Sequence, residues 1–458
     1  MSDAIKGSDP VKKVYRVGFL GFGVVGSGAV QILLHSRPPL KDTTGIEFQI
    51  AKVAVRDLKK IRDVALPGAC ITTDPWEVVR DPNIDIIVEV IGGIEPAKAL
   101  LLEALKRGKA VVTANKALLA THGRELFEVA LAHQTSIGFE ASVCGGVPVI
   151  QVLRDGLVAN RIESIHAILN GTTNYILTRM IEDKTPYLSA LKEAQEKGYA
   201  EADPSMDVQG IDAAHKLVLL SNLAFHSMFN FSEVQIKGID EISLEDVKHA
   251  ADLGYTMKLL AVAKRRNPGA DPDEVPGGLE LHVNPTLLPN KHPLASVKDV
   301  NNAVLVRGDA VGDIMIYGRG AGKLPTGSAI VSDILDAARG SARQTFTKLQ
   351  FFQNPRADLP VIPTEKNRCR NYVRFMVEDR PGVMGQVASV LGKHGVSIAA
   401  VIQKDAQAWG ANASGHEKAV PIIILTHNSI EERFRDAVRE IESLSCSRAP
   451  SAVYRVEE

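Results

Sequence analysis

The 458-residue sequence is poor in cysteine, and Cys70, Cys144, Cys369 and Cys446 stand singly with no CxxC pair. That spacing offers neither a zinc site nor a disulfide framework. An excess of one charge sign is also missing. The 53 basic residues balance 54 acidic ones, leaving a net charge of −1, so no nucleic acid and no acidic membrane surface is expected as the main partner. No apolar run approaches the ~20 residues that cross a bilayer. The opening "MSDAIKGSDPVKK" lacks the apolar core of a signal peptide and reads as a short disordered lead-in. With no internal repeat and no low-complexity tract, the chain reads as a cytoplasmic globular protein.

What is present is 45% apolar and 23% charged residues, over a length that suits about three domains of roughly 150 residues. Residues 1–140 alternate strand-like and helix-like segments: "VYRVGFL", "VVGSGAVQILL", "EFQIAKVAV", "IDIIVEVIG", "AKALLLEALKRG", "KAVVTAN". This alternation predicts a Rossmann-type α/β domain with a doubly wound parallel sheet. Residues 141–338 mix helices, expected near 172–182, 187–197, 208–226 and 246–264, with later strands such as "LELHV" and "NAVLVRG". Helices on one face of a mostly antiparallel sheet make this an α+β domain. Residues 339–370 form a connector with Pro355, Pro360 and Pro363. Residues 371–458 read strand–helix–strand–strand–helix–strand, the order of a ferredoxin-like βαββαβ module. The polar "QAWGANASGHEK" between its middle strands reads as a mobile loop. The proline-bearing connector suggests that the tail folds and moves as a unit, so that a chain ending near residue 345 would keep its activity.

Gly21, Gly23 and Gly26 in "VGFLGFGVVGSGAV" have GxGxxG spacing directly after a strand and at the head of a helix. The first glycine permits the turn, the second admits a pyrophosphate and the third allows close helix packing. The helix N-terminus, with Phe22, Val24 and Val25 in the same loop, then offers N–H groups to the anion. The second strand ends "VAVRDLKKIR". Arg56, ahead of Asp57, Lys59 and Lys60, suits the 2′-phosphate of NADP, with NAD as the alternative cofactor; a solvated loop of mixed charge is the other reading.

Further on, "GYAEADPSMDVQGIDAAHKLVLL" gathers Glu201, Asp203, Asp207 and Asp212 and follows them with Lys216. Acids near a helix start are stabilised by its dipole, and Asp212–Lys216 at i,i+4 would make an ordinary surface pair. The other reading is a site that binds a cationic substrate group and moves a proton. Lys116 in "VVTANKALLA" stands where a strand gives way to a helix, the edge at which such sheets hold ligands. Cys144 in "FEASVCGGVPVI" could act as a thiolate towards an aldehyde. The same stretch, an acid followed by small residues, could instead aim oxygens at a hard cation.

The stretches "GFGVVGSG", "EVIGG", "VVTANK", "FEASVCGGVPVI", "LNGTTNYIL", "GYAEADPSMDVQGIDAAHKL", "HPLASV" and "YGRGAGKLPTGSAIVSDI" together resemble the homoserine dehydrogenase family, in its long monofunctional form. The tail "RFMVEDRPGVMGQVASVLGKHGVSI" is similar to an ACT module. The resemblance implies NAD(P)-linked interconversion of L-homoserine and L-aspartate 4-semialdehyde, on the route to threonine, methionine and isoleucine. It implies that Lys216 is the proton donor and Lys116 a second essential lysine beside the nicotinamide. By the same resemblance Glu201 and Asp212, with Asp207 close by, hold the amino acid, and Gly198 and Gly322 touch cofactor and substrate. Glu140, with the carbonyls of Val143, Gly145 and Val147, corresponds to a sodium site. Family habit further implies a homodimer or homotetramer and L-threonine as an effector at the Pro381–Gly382 turn.

Overall fold

The computed structural model describes residues 14–62, 64–66, 70–268, 277–343, 359–403 and 419–458. The expected lead-in and the "QAWGANASGHEK" loop lie outside the described residues. Along the chain the strands are β1 (Val14–Leu20), β2 (Glu47–Ala54), β3 (Ile71–Thr72), β4 (Ile86–Glu89), β5 (Ala110–Thr113) and β6 (Ile137–Gly138), then β7 (Ile162–Ile168), β8 (Gln235–Ile236), β9 (Tyr255–Arg266) and β10 (Gly278–Pro289). The hairpin β11 (Asn301–Gly308) and β12 (Gly312–Arg319) follows. Last come β13 (Arg368–Glu378), β14 (Ile398–Gln403), β15 (Ala419–Thr426), β16 (Ser429–Ile430) and β17 (Ser447–Val456).

The chain divides into two compact units. The first holds a parallel six-stranded sheet in the order β3-β2-β1-β4-β5-β6, the order of a dinucleotide-binding fold. Its strands are short apolar runs because helices cover them; Val17, Phe19, Val53, Val88 and Val112 are buried in one cluster. The helix Lys323–Arg339 belongs to this unit, and its Ile330 and Ile334 join the same cluster. It lies against the helix Val24–His35 backbone to backbone: a Cβ on Gly28 would stand 2.0 Å from the Lys323 carbonyl oxygen.

In the second unit the strands run β7-β9-β10-β17-β13-β15-β14. All neighbours are antiparallel except β10 and β17. Residues 368–456 give the expected βαββαβ order, with the helices Val383–Lys393 and Glu431–Glu442 packing Val387, Leu391, Phe434 and Val438 onto Phe375, Ile422 and Ile424.

Two expectations are corrected. The helix placed at 246–264 is a nine-residue helix, Leu244–Asp252, followed by Gly254 at φ +82° and then β9. The left-handed glycine stops the helix, and "YTMKLLAVA" is buried on both faces, where a continuous apolar run reads alike as helix or strand. The tail, in turn, is not tethered by a connector alone. Thr286 and Leu287 of β10 pair with Arg455 and Val456 of β17. The connector itself joins β10, since Leu279 N–H donates to the Pro360 carbonyl at 2.8 Å and Ile362 N–H to the Leu279 carbonyl at 2.9 Å.

Asp246 fastens this seam. Its carboxylate accepts from Arg374 Nε at 2.6 Å and Nη2 at 2.9 Å, from Tyr372 Oη at 3.2 Å and from Tyr454 Oη at 3.3 Å. Burial opposes ionisation of Asp246, but the Arg374 guanidinium outweighs it and holds the carboxyl below its ordinary range. A lowered carboxyl stabilises the fold above its ordinary value, and that contribution disappears as pH falls through the folded value. Arg374→Met should therefore cost about 3–5 kcal/mol at neutral pH by stranding a buried carboxylate, read as a lowered denaturation midpoint of the full chain; an unchanged midpoint would reject the seam. For the same reason a chain ending near residue 345, stripped of β17, should lose solubility and melting temperature.

Candidate active site

The three glycines of the first loop do three different things. Gly21 turns the chain at φ +102°, and a Cβ there would lie 2.8 Å from the Val90 carbonyl oxygen. A Cβ on Gly26 would lie 2.8 Å from the Gly21 oxygen, so this contact requires glycine for packing. Gly23 meets no heavy atom within 4 Å: it faces open space at the head of the helix Val24–His35, where an anion can approach unpaired N–H groups. Phe22 is buried, Val24 is 68% exposed and Val25 packs against the core. Arg56 is exposed just past β2. Arg62, not singled out in the sequence, places its guanidinium 5.9 Å from the centre of the Phe22 ring. Its only sequence signal is being one more basic residue after the strand.

Lys116 begins the helix Lys116–Ala132 right after β5. Asn115 caps that helix through Leu118 N–H at 3.1 Å and reaches the Gly93 carbonyl through Nδ2 at 2.6 Å. The fully buried Glu89 at the end of β4 accepts from Thr113 Oγ1 at 2.6 Å and from the N–H groups of Ile91 and Gly92, both at 2.9 Å. These bonds tie the "EVIGG" turn to the strand that delivers Lys116. Gly322, at φ +132°, opens the helix packed on the glycine-loop helix.

Glu140 is buried, and its two oxygens accept from Ile150 N–H at 2.9 Å and Gln151 N–H at 2.8 Å. Burial pushes its carboxyl up to about 7, against the pull of those two donors. Nearby, the carboxyl of Asp333, which accepts from Glu140 N–H at 2.9 Å, is raised too, by burial and by Glu140. The chain then turns through Cys144 at φ +56° and Gly145 at φ +49°, with Val143, Gly145 and Val147 all buried. A buried carboxylate followed by turned backbone is the kind of oxygen-bearing stretch a small hard cation takes. Cys144 is 0% exposed, which takes away the open face that a thiolate nucleophile needs.

The acids occupy the second unit. Gly198, at φ +71°, follows the helix Tyr187–Glu196 and leads to Glu201, which is exposed. Asp207 lies on the short helix Ser205–Val208 and is half-buried; Asp212 starts the helix Ile211–Phe225 and is 6% exposed. Asn170 draws these two together. Its Nδ2 donates to Asp207 Oδ1 at 2.6 Å and to Asp212 Oδ2 at 2.9 Å, while its Oδ1 caps the helix Gly171–Glu182 at Thr173 N–H, 2.8 Å away. Lys216 follows Asp212 by one turn of the same helix. Asp203 instead closes a local turn with Ser205.

Two further residues hold this neighbourhood in place. Lys258 of β9, 1% exposed, donates to Asn174 Oδ1 at 3.0 Å and to the Val297 carbonyl. Asn174 Nδ2 donates to the Asp299 carbonyl at 2.9 Å. The "LNGTTN" and "HPLASV" stretches are thereby locked to one buried ammonium, whose pKa burial lowers to about 8. Neither Lys258 nor Asn170 was legible as a site residue, because nothing in their sequence surroundings shows what they face.

Three family models match the chain. The NAD-binding domain of homoserine dehydrogenase matches residues 21–140, the homoserine dehydrogenase domain residues 148–335 and the ACT domain residues 371–446. The homoserine dehydrogenases of Bacillus subtilis and Neisseria gonorrhoeae are 40% and 39% identical, each covering 97% of this chain and 99% of its own. A crystal structure of a homoserine dehydrogenase from Thiobacillus denitrificans is 41% identical with a TM-score of 0.88, covering 97% of this chain and 99% of that one. A hyperthermophilic archaeal homoserine dehydrogenase in complex with NADPH is 27% identical with a TM-score of 0.58, over 71% of this chain and 97% of that one. With family models over most of its length and relatives about 40% identical over nearly all of it, the chain belongs to the homoserine dehydrogenase family.

Proposed function

We propose that the chain interconverts L-homoserine and L-aspartate 4-semialdehyde with NADP, the observation that carries the reading being the Asn170-bridged pair Asp207–Asp212 one helical turn ahead of Lys216. A substrate ammonium is a full positive charge, and Asp212, Asp207 and Glu201 supply carboxylates to receive it. Gly198 leaves backbone accessible beside them. NADP, when bound at Gly21–Gly26 with Gly322 and Lys116 alongside, supplies the hydride chemistry. Lys216 gives the proton to the developing alkoxide in the reductive direction, and takes it from the hydroxyl in the other. Lys116 orients the carbonyl. Glu140 with the carbonyls of Val143, Gly145 and Val147 would hold a sodium ion and rigidify that turn.

Regulation and assembly complete the proposal. L-Threonine is received at the Pro381–Gly382 turn, where Gly382 at φ +90° opens the helix Val383–Lys393. A homodimer or homotetramer is supported by Met315 and Tyr317 of β12, which are 40% and 54% exposed, since paired copies would cover such side chains.

The direct test is homoserine-dependent reduction of NADP, followed by absorbance. Lys216→Ala should keep cofactor binding and lose roughly 10²–10⁴ in turnover, as for loss of a general acid, with Lys116→Ala similarly impaired. Near-normal turnover in either variant rejects the assignment. Asn170→Ser should keep the helix cap but lose the bridging donor, lowering kcat/KM for homoserine by roughly 10- to 150-fold, as for a hydrogen bond to a charged group; an unchanged kcat/KM would show that the bridge does not position the acids. Arg56→Ala should weaken NADP more than NAD because a contact to the 2′-phosphate is charge-assisted. Equal losses with both cofactors would transfer that role away from Arg56.

A further inference from the structure

A cavity of about 510 Å³ lies within the second unit along the seam of β10 and β17, a size typical of small-molecule sites. Neither Pro381 nor Gly382 lines it. Four cations do, Lys237, Arg435, Arg439 and Arg455, against one acid, Glu431. That acid is already engaged: Arg435 Nε donates to it at 2.8 Å, and Arg455 Nη2 stands 3.5 Å away. Arg455 also pairs with Glu280 at 3.2 Å and Arg439 with Asp436, so what the lining offers an anion is the Lys237 ammonium and the remaining guanidinium N–H groups, over an apolar floor that includes Phe434 and Pro285. Lys237 is committed only to a backbone carbonyl, that of Val453 at 3.2 Å, with its ammonium 5.5 Å from the centre of the Tyr454 ring. An α-amino acid would find no uncommitted carboxylate here for its ammonium. A multiply charged anion would find several donors.

The segment carrying Lys237 leads straight to the acids. Gln235 and Ile236 form β8 against β10, Lys237 N–H donates to the Val283 carbonyl at 2.8 Å, and Ile239 N–H donates to the Val208 carbonyl at 2.8 Å. Between them Gly238 is pressed on the same place: a Cβ there would lie 2.4 Å from the Val208 oxygen. Val208 is the neighbour of Asp207. A main-chain shift at Lys237 would therefore bear directly on the acid-bearing turn.

We infer that this cavity is a binding site for a small, multiply charged anion, carboxylate or phosphate, and that its occupancy is relayed through residues 235–239 to Asp207. The relay, though not the binding, rests on the reading that Asp207 helps to hold the substrate. The full-length chain, saturated with NADP so that the glycine loop is filled, is titrated calorimetrically with citrate and, separately, with inorganic pyrophosphate. One of the two should bind at a single site, and the tighter one identifies the anion as carboxylate or phosphate. Arg435→Gln with Arg439→Gln, both at exposed positions, should weaken that binding tenfold or more while the far-ultraviolet circular dichroism of the folded chain is retained. The bound anion should also change KM for homoserine, within the ~5- to 150-fold span of ordinary allosteric coupling, and leave kcat nearly constant. Absence of binding by both probes, or equal binding to the double variant, overturns the site. Binding with KM unmoved overturns the relay. Should the chain fail to oxidise homoserine at all, the calorimetric arm still decides the site on its own.

Discussion

Two carboxylates brought together in a half-dry turn repel each other, and the Asn170 amide offsets that repulsion by bonding to Asp207 and Asp212 at once. One N–H bond goes to each acid, and the same side chain's oxygen fixes the start of the helix Gly171–Glu182. The position of that helix and the position of the acids are therefore a single constraint. Asn170 is itself placed by β7, which ends two residues earlier on an antiparallel pairing with β9. From the strand outwards, each element leaves the next little freedom, as preorganisation of a charge-binding site requires.

β10 plays a comparable part for the second unit as a whole. It pairs over its full length with β9, carries β8 and the connector on its other side, and then passes its sheet to the tail through β17. A module added through a proline-bearing linker could drift; one that shares a strand ladder and a buried Asp246–Arg374 pair cannot move without disturbing its host. Main-chain hydrogen bonds join residues 237–239 to β10 on one side and to the acid-bearing turn at Val208 on the other.

The sequence made the local features plain. GxGxxG after an apolar strand specified the turn, and the structure gives each glycine its separate task. The βαββαβ order of the tail was readable because its apolar strands and amphipathic helices alternate with clear breaks, such as Pro381–Gly382 before the helix Val383–Lys393. Where chemistry depended on what lies across space, the text of the sequence fell silent. Asn170 looks like any helix cap until two acids from 37 and 42 residues away meet it. Lys258 sits in an apolar run that reads equally well as helix, and its partners are Asn174 of the helix Gly171–Glu182 and the Val297 carbonyl, 84 and 39 positions away. The parallel pairing of β10 with β17 joins residues more than 160 positions apart, and no periodicity announces such a contact.

The central claim is a division of labour: carboxylates hold the amine while lysines handle the proton and the carbonyl. It is met most directly by a crystal structure of the chain with L-homoserine and oxidised NADP bound. The account predicts the substrate nitrogen within about 2.7–3.2 Å of carboxylate oxygens of Asp212 or Glu201, with the hydroxyl turned to the Lys216 ammonium. A substrate amine bound elsewhere, with Lys216 facing away from the hydroxyl, would contradict it.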